Sequence, residues 1–207
     1  MRITACIAAA TIFLTATAPA GANETASITE NADEIFSALE SAPWIHKPGQ
    51  NGTVLYVMSF RTCGPCIEFK EAELEGLLDA GVDVRFVVFP PWDEWGGEIN
   101  EPGERAMIAE LWKTRSWELY LDWYAMAAPT YYATQVLPPS AASGERAALV
   151  ARSRKIVLLV EDALKPDGVE FGVPGFFWKD KNGQPMVHIG YSAEGFRPVR
   201  DSVLGNN

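Results

Sequence analysis

Two cysteines three positions apart are the residues whose type and spacing best suit chemistry. Cys63 and Cys66 flank Gly64 and Pro65, and they follow an apolar run and open a stretch with helical character. A cysteine at the start of a helix lies beside unpaired N–H groups and the positive end of the helix dipole, which stabilise a thiolate. We therefore predict that Cys63 is an exposed nucleophile and that Cys66, one turn later, is a buried resolving cysteine.

The residues around the pair fit a reactive site better than a structural disulfide. A bridge across so short a loop constrains the unfolded chain little, so it adds little stability. Pro65 suits the first turn of a helix, where its missing N–H costs nothing. Arg61 and Thr62 immediately precede the pair. Arg61 adds a favourable positive charge if its side chain points inward.

The first residues have the pattern of a secretory signal peptide. Arg2 is followed by an uncharged apolar run over residues 3–18, and the small residues of an A-x-A cleavage site come next. The run is shorter than the roughly 20 residues that span a bilayer, which disfavours the alternative of a membrane anchor. We predict a signal peptide over residues 1–22 and a domain over residues 23–207. Cleavage removes Cys6 and leaves two cysteines in an exported chain, where disulfides persist.

The charge of the chain excludes some partners. With 17 basic and 27 acidic residues its formal net charge is −10. This balance argues against nucleic acid and anionic membrane surfaces as binding partners.

The order of predicted elements begins with a βαβ unit. Residues 54–60 form an apolar run with the length and composition of a buried strand, residues 82–89 are predicted as a second strand, and a helix over residues 63–80 lies between them. Strands joined in this way run parallel. A short amphipathic helix over residues 28–39 precedes the unit.

The remainder contains a helical segment and then a hairpin. Residues 92–168 show no strand pattern. Helical spacing occurs over Glu104–Met126 and Gly144–Leu164, with Pro129, Pro138 and Pro139 between these runs. The aromatic residues of the first run fit a helix core better than a peptide-binding groove. Strands over residues 175–179 and 185–190 follow, joined by an Asn-Gly turn, and Ser192 is placed to cap a last helix that ends at Leu204.

On these residues the chain resembles the thioredoxin superfamily. Cys63-Gly64-Pro65-Cys66 is identical to the thioredoxin active-site tetrapeptide, and Val173-Pro174 fits the place of the family's cis-proline. The resemblance implies an α/β fold, with a central mixed sheet flanked by helices and a helical insertion before the cis-proline strand. It also implies that Pro174 faces Cys63 and that the backbone of Val173 binds the substrate chain.

Within the superfamily the chain is most similar to periplasmic Dsb-type proteins. The insertion and the Thr62-Cys63 pair resemble DsbC and DsbG, whereas Val173 before the proline resembles DsbA. The separate dimerisation domain of DsbC is missing. Val57 stands where thioredoxins carry a buried aspartate.

The resemblance implies thiol–disulfide exchange and leaves its direction open. Our favoured function is thiol–disulfide exchange on exported proteins, as an isomerase or a reductase. The expected partners are cysteine-containing exported polypeptides and a redox partner protein, and neither cofactor nor metal is needed. Two alternatives stay open: a dedicated reductant or chaperone for cytochrome c or copper-site assembly, and a redox-inert binding module. A zinc site is disfavoured because His46 and His188 lack the spacing of zinc-binding histidines.

Overall fold

The computed structural model describes residues 23–91, 102–126 and 144–206. The predicted signal peptide and the prolines at 129, 138 and 139 lie outside the described residues.

A mixed sheet of five strands forms the centre of the molecule. The strands are β1 Thr25–Ser27, β2 Val54–Ser59, β3 Asp83–Val88, β4 Gly175–Lys179 and β5 Pro185–Ile189. Its spatial order is β1-β5-β4-β2-β3, and β2 and β3 are parallel whereas the other neighbours are antiparallel. The parallel pair was predicted, and it follows from the helical crossover between the two strands.

Helices flank this sheet. In the described residues between β3 and β4 the regular structure is helical, as predicted, and the longest helix there has the predicted bounds. The helices are α1 Ala32–Ser41, α2 Gly64–Ala72, α3 Leu74–Asp79, α4 Pro102–Thr114, α5 Trp117–Ala125, α6 Gly144–Leu164 and α7 Arg197–Val203, with a 3-10 turn at Lys165–Asp167.

The first helix begins four residues later than predicted, and the strand before it was not predicted. The Asp167 carboxylate accepts hydrogen bonds from the backbone amides of Thr29 and Glu30, with N–O distances of 3.1 and 3.2 Å. Asn31 then has a φ of 51°, outside the helical region. The helix therefore begins only after this residue, at Ala32.

The single helix predicted over residues 63–80 is interrupted at Glu73. This residue has a φ of −118° and separates α2 from α3. Its buried carboxylate accepts hydrogen bonds from Tyr191 and Arg200, at 3.1 Å from the tyrosine hydroxyl and 2.8 Å from the arginine Nε. Contacts with a distant part of the chain therefore accompany the break.

The predicted run over residues 104–126 is also two helices. Arg115 has a φ of 53°, which ends α4. Ser116 then begins α5, because its hydroxyl accepts a hydrogen bond from the amide of Leu119 at 3.1 Å.

The C-terminal hairpin is confirmed, and the last helix is shorter than predicted. Gly183 has the positive φ, 78°, that the turn requires. Ser192 caps a separate turn, in which its hydroxyl accepts the amide of Gly195 at 3.1 Å, and α7 begins only at Arg197.

Aromatic side chains join the helices to the sheet. Phe69 of α2 packs against Phe86, Phe176 and Phe196, with ring centroids 4.8–6.5 Å apart. Tyr120 of α5 stacks on Phe86 at 4.6 Å. The aromatic residues of α5 are core residues, as predicted, and Trp117 and Tyr120 pack the insertion against Phe86 of β3.

Candidate active site

The cysteine pair lies at the start of α2, just beyond the end of β2. Cys63 is the N-cap residue, and its sulfur accepts a hydrogen bond from the amide of Cys66 at 3.1 Å. The two cysteines form a disulfide. The first sulfur is therefore held against the amide groups that a thiolate at this position would need.

Both cysteines are buried in this disulfide form. Cys63 is 6% exposed and Cys66 is 3% exposed, whereas Gly64 and Pro65 between them are exposed. The prediction of an exposed Cys63 is thus wrong for the oxidised chain. Its sulfur is turned into the helix start by the bond to Cys66, and it keeps twice the exposed fraction of its partner.

Arg61 is held by the end of α5. Its guanidinium donates hydrogen bonds to the carbonyl oxygens of Trp123, Tyr124 and Met126, at 3.3, 3.0 and 2.9 Å. It also lies 5.1 Å from the centre of the Tyr124 ring. Arg61 therefore fixes the insertion to the loop before the dithiol, a role that the sequence did not predict. Thr62, next to Cys63, is exposed.

The proline segment lies at the same edge of the sheet as the cysteine pair. The Val173–Pro174 peptide bond is cis, the isomer that the resemblance implies. Gly175, the next residue, is paired with Met58 near the end of β2. Since β2 and β4 are antiparallel, Pro174 falls opposite the last residue of β2, where the chain leaves for Cys63. Val173 is half-buried against the core.

Val57 lies in the centre of the sheet. It is fully buried and pairs with Phe86 on one side and Phe176 on the other. Valine offers no carboxylate there to accept a proton from the resolving cysteine. Any such group must come from elsewhere in the structure.

Glu104 is a buried acid that the sequence analysis overlooked. It is 1% exposed, and its Oε1 has no hydrogen-bond partner among the described residues. Burial raises its pKa to about 7, and the positive charge of Arg61 opposes that rise. A signal was present, because Glu104 stands three and four residues before Met107 and Ile108, on the apolar side of its helix.

Further titratable groups surround Arg61. Burial raises the pKa of Tyr124, while Arg61 lowers it and Glu104 raises it. Lys70 of α2 lies 5.3 Å from the Tyr124 ring, and burial, together with Arg61, lowers the pKa of its ammonium group. The charge of Arg61, in the loop before the cysteines, therefore acts on several partly or fully buried titratable groups.

The two histidines have separate polar partners. His46 Nδ1 lies 2.8 Å from Asp83. His188 is fully buried in β5, with Nδ1 3.1 Å from the hydroxyl of Thr25, and burial lowers its pKa to about 4. Across residues 23–91, 102–126 and 144–206, no group of three or more His, Cys, Asp or Glu side chains is arranged to hold a metal ion.

No helix in these ranges has the length and apolar character needed to cross a membrane.

Comparisons with known proteins give likenesses in structure. No family model and no curated protein matches the chain. The catalytic domain of Proteus mirabilis ScsC is 11% identical, with 84% of this chain and 96% of that chain covered, at a TM-score of 0.51. A Wolbachia pipientis alpha-DsbA1 variant is 19% identical (84% and 96% covered, TM-score 0.48). A periplasmic thioredoxin-like protein from Salmonella enterica serovar Typhimurium is 14% identical (84% and 97% covered, TM-score 0.46).

The likeness to the ScsC domain concerns the whole fold. It covers most of both chains and agrees with the strand order and with the helices between β3 and β4. The chain has the thioredoxin fold, with helices inserted before the strand that follows the cis-proline.

Proposed function

We propose that this protein is a thiol–disulfide oxidoreductase that acts on exported polypeptides through Cys63 and Cys66. The observation that carries the proposal is the disulfide at the start of α2, where the Cys66 amide donates to the Cys63 sulfur at 3.1 Å. A helix start stabilises a thiolate more than a thiol, so this position favours Cys63 as nucleophile and leaving group.

The exchange is a pair of displacements. In the reduced protein the Cys63 thiolate attacks one sulfur of a substrate disulfide, forming a mixed disulfide and releasing the other substrate sulfur as a thiolate. Cys66 then loses its proton and attacks the Cys63 sulfur, which forms the Cys63–Cys66 disulfide and releases the second substrate thiolate. The substrate gains two electrons and the protein loses two. A redox partner protein must restore the dithiol, and neither cofactor nor metal takes part.

The substrate chain binds beside the cis-proline segment. Val173 and Pro174 lie at the sheet edge from which the chain runs to Cys63, and the exposed residues Thr62, Gly64 and Pro65 border the disulfide. A substrate in extended conformation would reach the Cys63 sulfur over these residues. The signal-peptide pattern of residues 1–22 supports a periplasmic or otherwise exported location for this activity.

We propose isomerase or reductase activity as the direction of exchange. Val57 cannot take a proton from Cys66, and general-base help is worth roughly 10²–10⁴ in rate. A slow second displacement prolongs the mixed disulfide. A long-lived mixed disulfide gives the substrate's own second thiol time to complete the exchange, which is isomerisation.

The test is reduction of insulin by dithiothreitol, with the mature protein as catalyst. We expect catalysis by the wild type and none by Cys63→Ser. Cys66→Ser should accumulate a mixed disulfide with the substrate, whereas the double variant should not. A wild type that gives no acceleration and traps no substrate would contradict the proposal and leave the redox-inert binding module.

A second assay tests the direction. Recovery of activity by scrambled ribonuclease needs isomerisation, and it is compared with insulin reduction by the same preparation. Acceleration of insulin reduction or of scrambled-ribonuclease recovery supports the proposed direction. Oxidation of reduced ribonuclease without either activity would make the protein an oxidase.

A further inference from the structure

The end of β5 holds the proline segment, Val173–Pro174, in place. The amide of Gly190 donates a hydrogen bond to the carbonyl oxygen of Pro174 at 2.8 Å. Gly172 packs closely on the same strand, because a Cβ atom added there would lie 2.8 Å from Cγ2 of Ile189. The position of the proline segment therefore depends on where the chain leaves β5.

Tyr191, the residue after Gly190, links this point to the dithiol helix. Its hydroxyl donates a hydrogen bond to Glu73 Oε1 at 3.1 Å, and both residues are 8% exposed. The tyrosine ring packs on Phe69 of α2, with the ring centroids 5.8 Å apart. Burial and the neighbouring Glu73 raise the pKa of Tyr191 to about 12, so the hydroxyl keeps the proton that it donates.

Glu73 lies on the helix face that carries Cys66. Cys66, Phe69 and Glu73 are spaced by three and four residues and are all buried, so they share one side of α2. Glu73 directly follows the last residue of the helix, and its amide donates to the carbonyl oxygen of Phe69 at 2.9 Å. Its Oε2 also accepts a hydrogen bond from Arg200 Nε of α7 at 2.8 Å. The contact between Tyr191 and Glu73 therefore constrains the face of α2 that holds the resolving cysteine.

We propose that Tyr191 and Glu73 are positioning residues, whose hydrogen bond holds the proline segment at a fixed position relative to the helix face of Cys66. The inference rests on the proposed thiol–disulfide exchange. In the mixed disulfide the substrate sulfur is bonded to Cys63, while the substrate chain lies beside the proline segment. Cys66 must then approach the Cys63 sulfur, so the helix and the proline segment have to keep their relative position during the second displacement.

The consequence is selective for substrates that bind the proline segment. A polypeptide disulfide lies along that segment, whereas a small aromatic disulfide reacts with the dithiol without doing so. Tyr191→Phe removes one hydroxyl and keeps the ring on Phe69. It should lower kcat/KM for a polypeptide by about fivefold, the factor that corresponds to one net hydrogen bond. The rate with the small disulfide should change by less than about twofold, because that reaction does not use the segment.

The experiment compares two reactions of each variant. One is insulin reduction under excess dithiothreitol, which gives kcat/KM, and the other is oxidation of the pre-reduced protein by dithiodipyridine. Tyr56→Phe is the matched control, because Tyr56 points to the sheet face opposite α2 and its hydroxyl also donates to a glutamate, Glu40. We expect a selective loss with insulin in Tyr191→Phe and none in the control. Equal losses with both disulfides, no loss with insulin, or the same selective loss in Tyr56→Phe would overturn the inference.

Hydrogen exchange of the Gly190 amide, measured by NMR, gives a readout that is independent of catalysis. Because this amide holds the proline segment, Tyr191→Phe should raise its exchange rate in the oxidised protein by about fivefold, whereas Tyr56→Phe should not. The amide of Phe86, which donates to Ile45 at 2.8 Å at the β3 edge of the sheet, is the internal reference. Unchanged exchange at Gly190, or an equal acceleration at Phe86, would overturn the inference even in a protein that reduces insulin. A wild type that does not reduce insulin would contradict the proposed function, and the exchange rates would still decide whether the link exists.

Discussion

Replacing Glu104 by glutamine should stabilise the protein at alkaline pH and change it little at acidic pH. The carboxyl is buried, and Arg61 offsets only part of the cost of its charge. Glutamine has nearly the same shape and carries no charge at any pH. The variant therefore removes an ionisation that the folded state opposes and the unfolded state allows.

The magnitude follows from the pKa of the folded state. Burial raises the pKa of Glu104 from 4.5 to about 7. Between these values the folded protein holds the proton and the unfolded chain has lost it, so the free energy of unfolding falls as the pH rises. Each pKa unit corresponds to about 1.4 kcal/mol, which gives a cost of about 3 kcal/mol above pH 7 and almost none below pH 4.5.

The assay is urea unfolding of the oxidised wild type and of Glu104→Gln at pH 5 and pH 8. The change in stability on substitution should be more favourable at pH 8 than at pH 5 by about 2–3 kcal/mol. Using the difference between two pH values cancels the constant effect of placing an amide in the site. Glu68→Gln, an exposed change, should show no such difference.

A flat result would refute this reasoning. If the effect of Glu104→Gln differs by less than about 0.5 kcal/mol between pH 5 and pH 8, the carboxyl does not carry the cost that its burial implies. A larger effect in Glu68→Gln than in Glu104→Gln would have the same meaning.

Substitutions at three further residues test other contacts. Arg61→Met should lower the free energy of unfolding in urea by about 2 kcal/mol, because three carbonyl oxygens lose a charged donor; a loss no larger than that of an exposed-site variant would contradict this role. Burial lowers the pKa of His188 from 6.5 to about 4, so stability should fall by up to about 3 kcal/mol as the pH drops between those values. His188→Asn should abolish that part of the pH profile, and an unchanged profile would show that His188 does not cause it. Glu73→Ala should cost about 3 kcal/mol by thermal or urea unfolding, since it leaves Arg200 and Tyr191 without their shared partner, and Glu73→Gln should cost less; equal losses would exclude the charge as the cause.

The parts of the fold that the sequence predicted are those with a strong local pattern. Strands β2 and β4 lie inside the sheet and are largely buried, so they appear as nearly continuous apolar runs. The hairpin turn was predictable from Asn182-Gly183, because glycine accepts the positive φ that the structure shows. The cysteine pair was predictable from its position in the sequence, because it follows an apolar strand and opens a helix.

The parts that were missed depend on distant contacts or on very short segments. Strand β1 has three residues at the sheet edge and no readable alternation. The break at Glu73 accompanies a contact with Arg200, 127 residues later in the chain. The direction of Arg61 depends on where α5 ends. Glu104 stood on the apolar side of its helix, so sequence reasoning could have found it by examining charged residues on that side.

The pairing of β2 with β4 has a consequence for the time course of folding. Leu55 pairs with Trp178, so the centre of the sheet closes only when more than a hundred residues have been brought together. The segment β2-α2-α3-β3 involves far shorter loops and can assemble early, since the entropy of loop closure grows with length. Until β4 arrives, β2 presents an unsatisfied strand edge beside the cysteines. Early intermediates of this chain should therefore be the species most prone to self-association, and the arrival of the C-terminal hairpin should end that exposure.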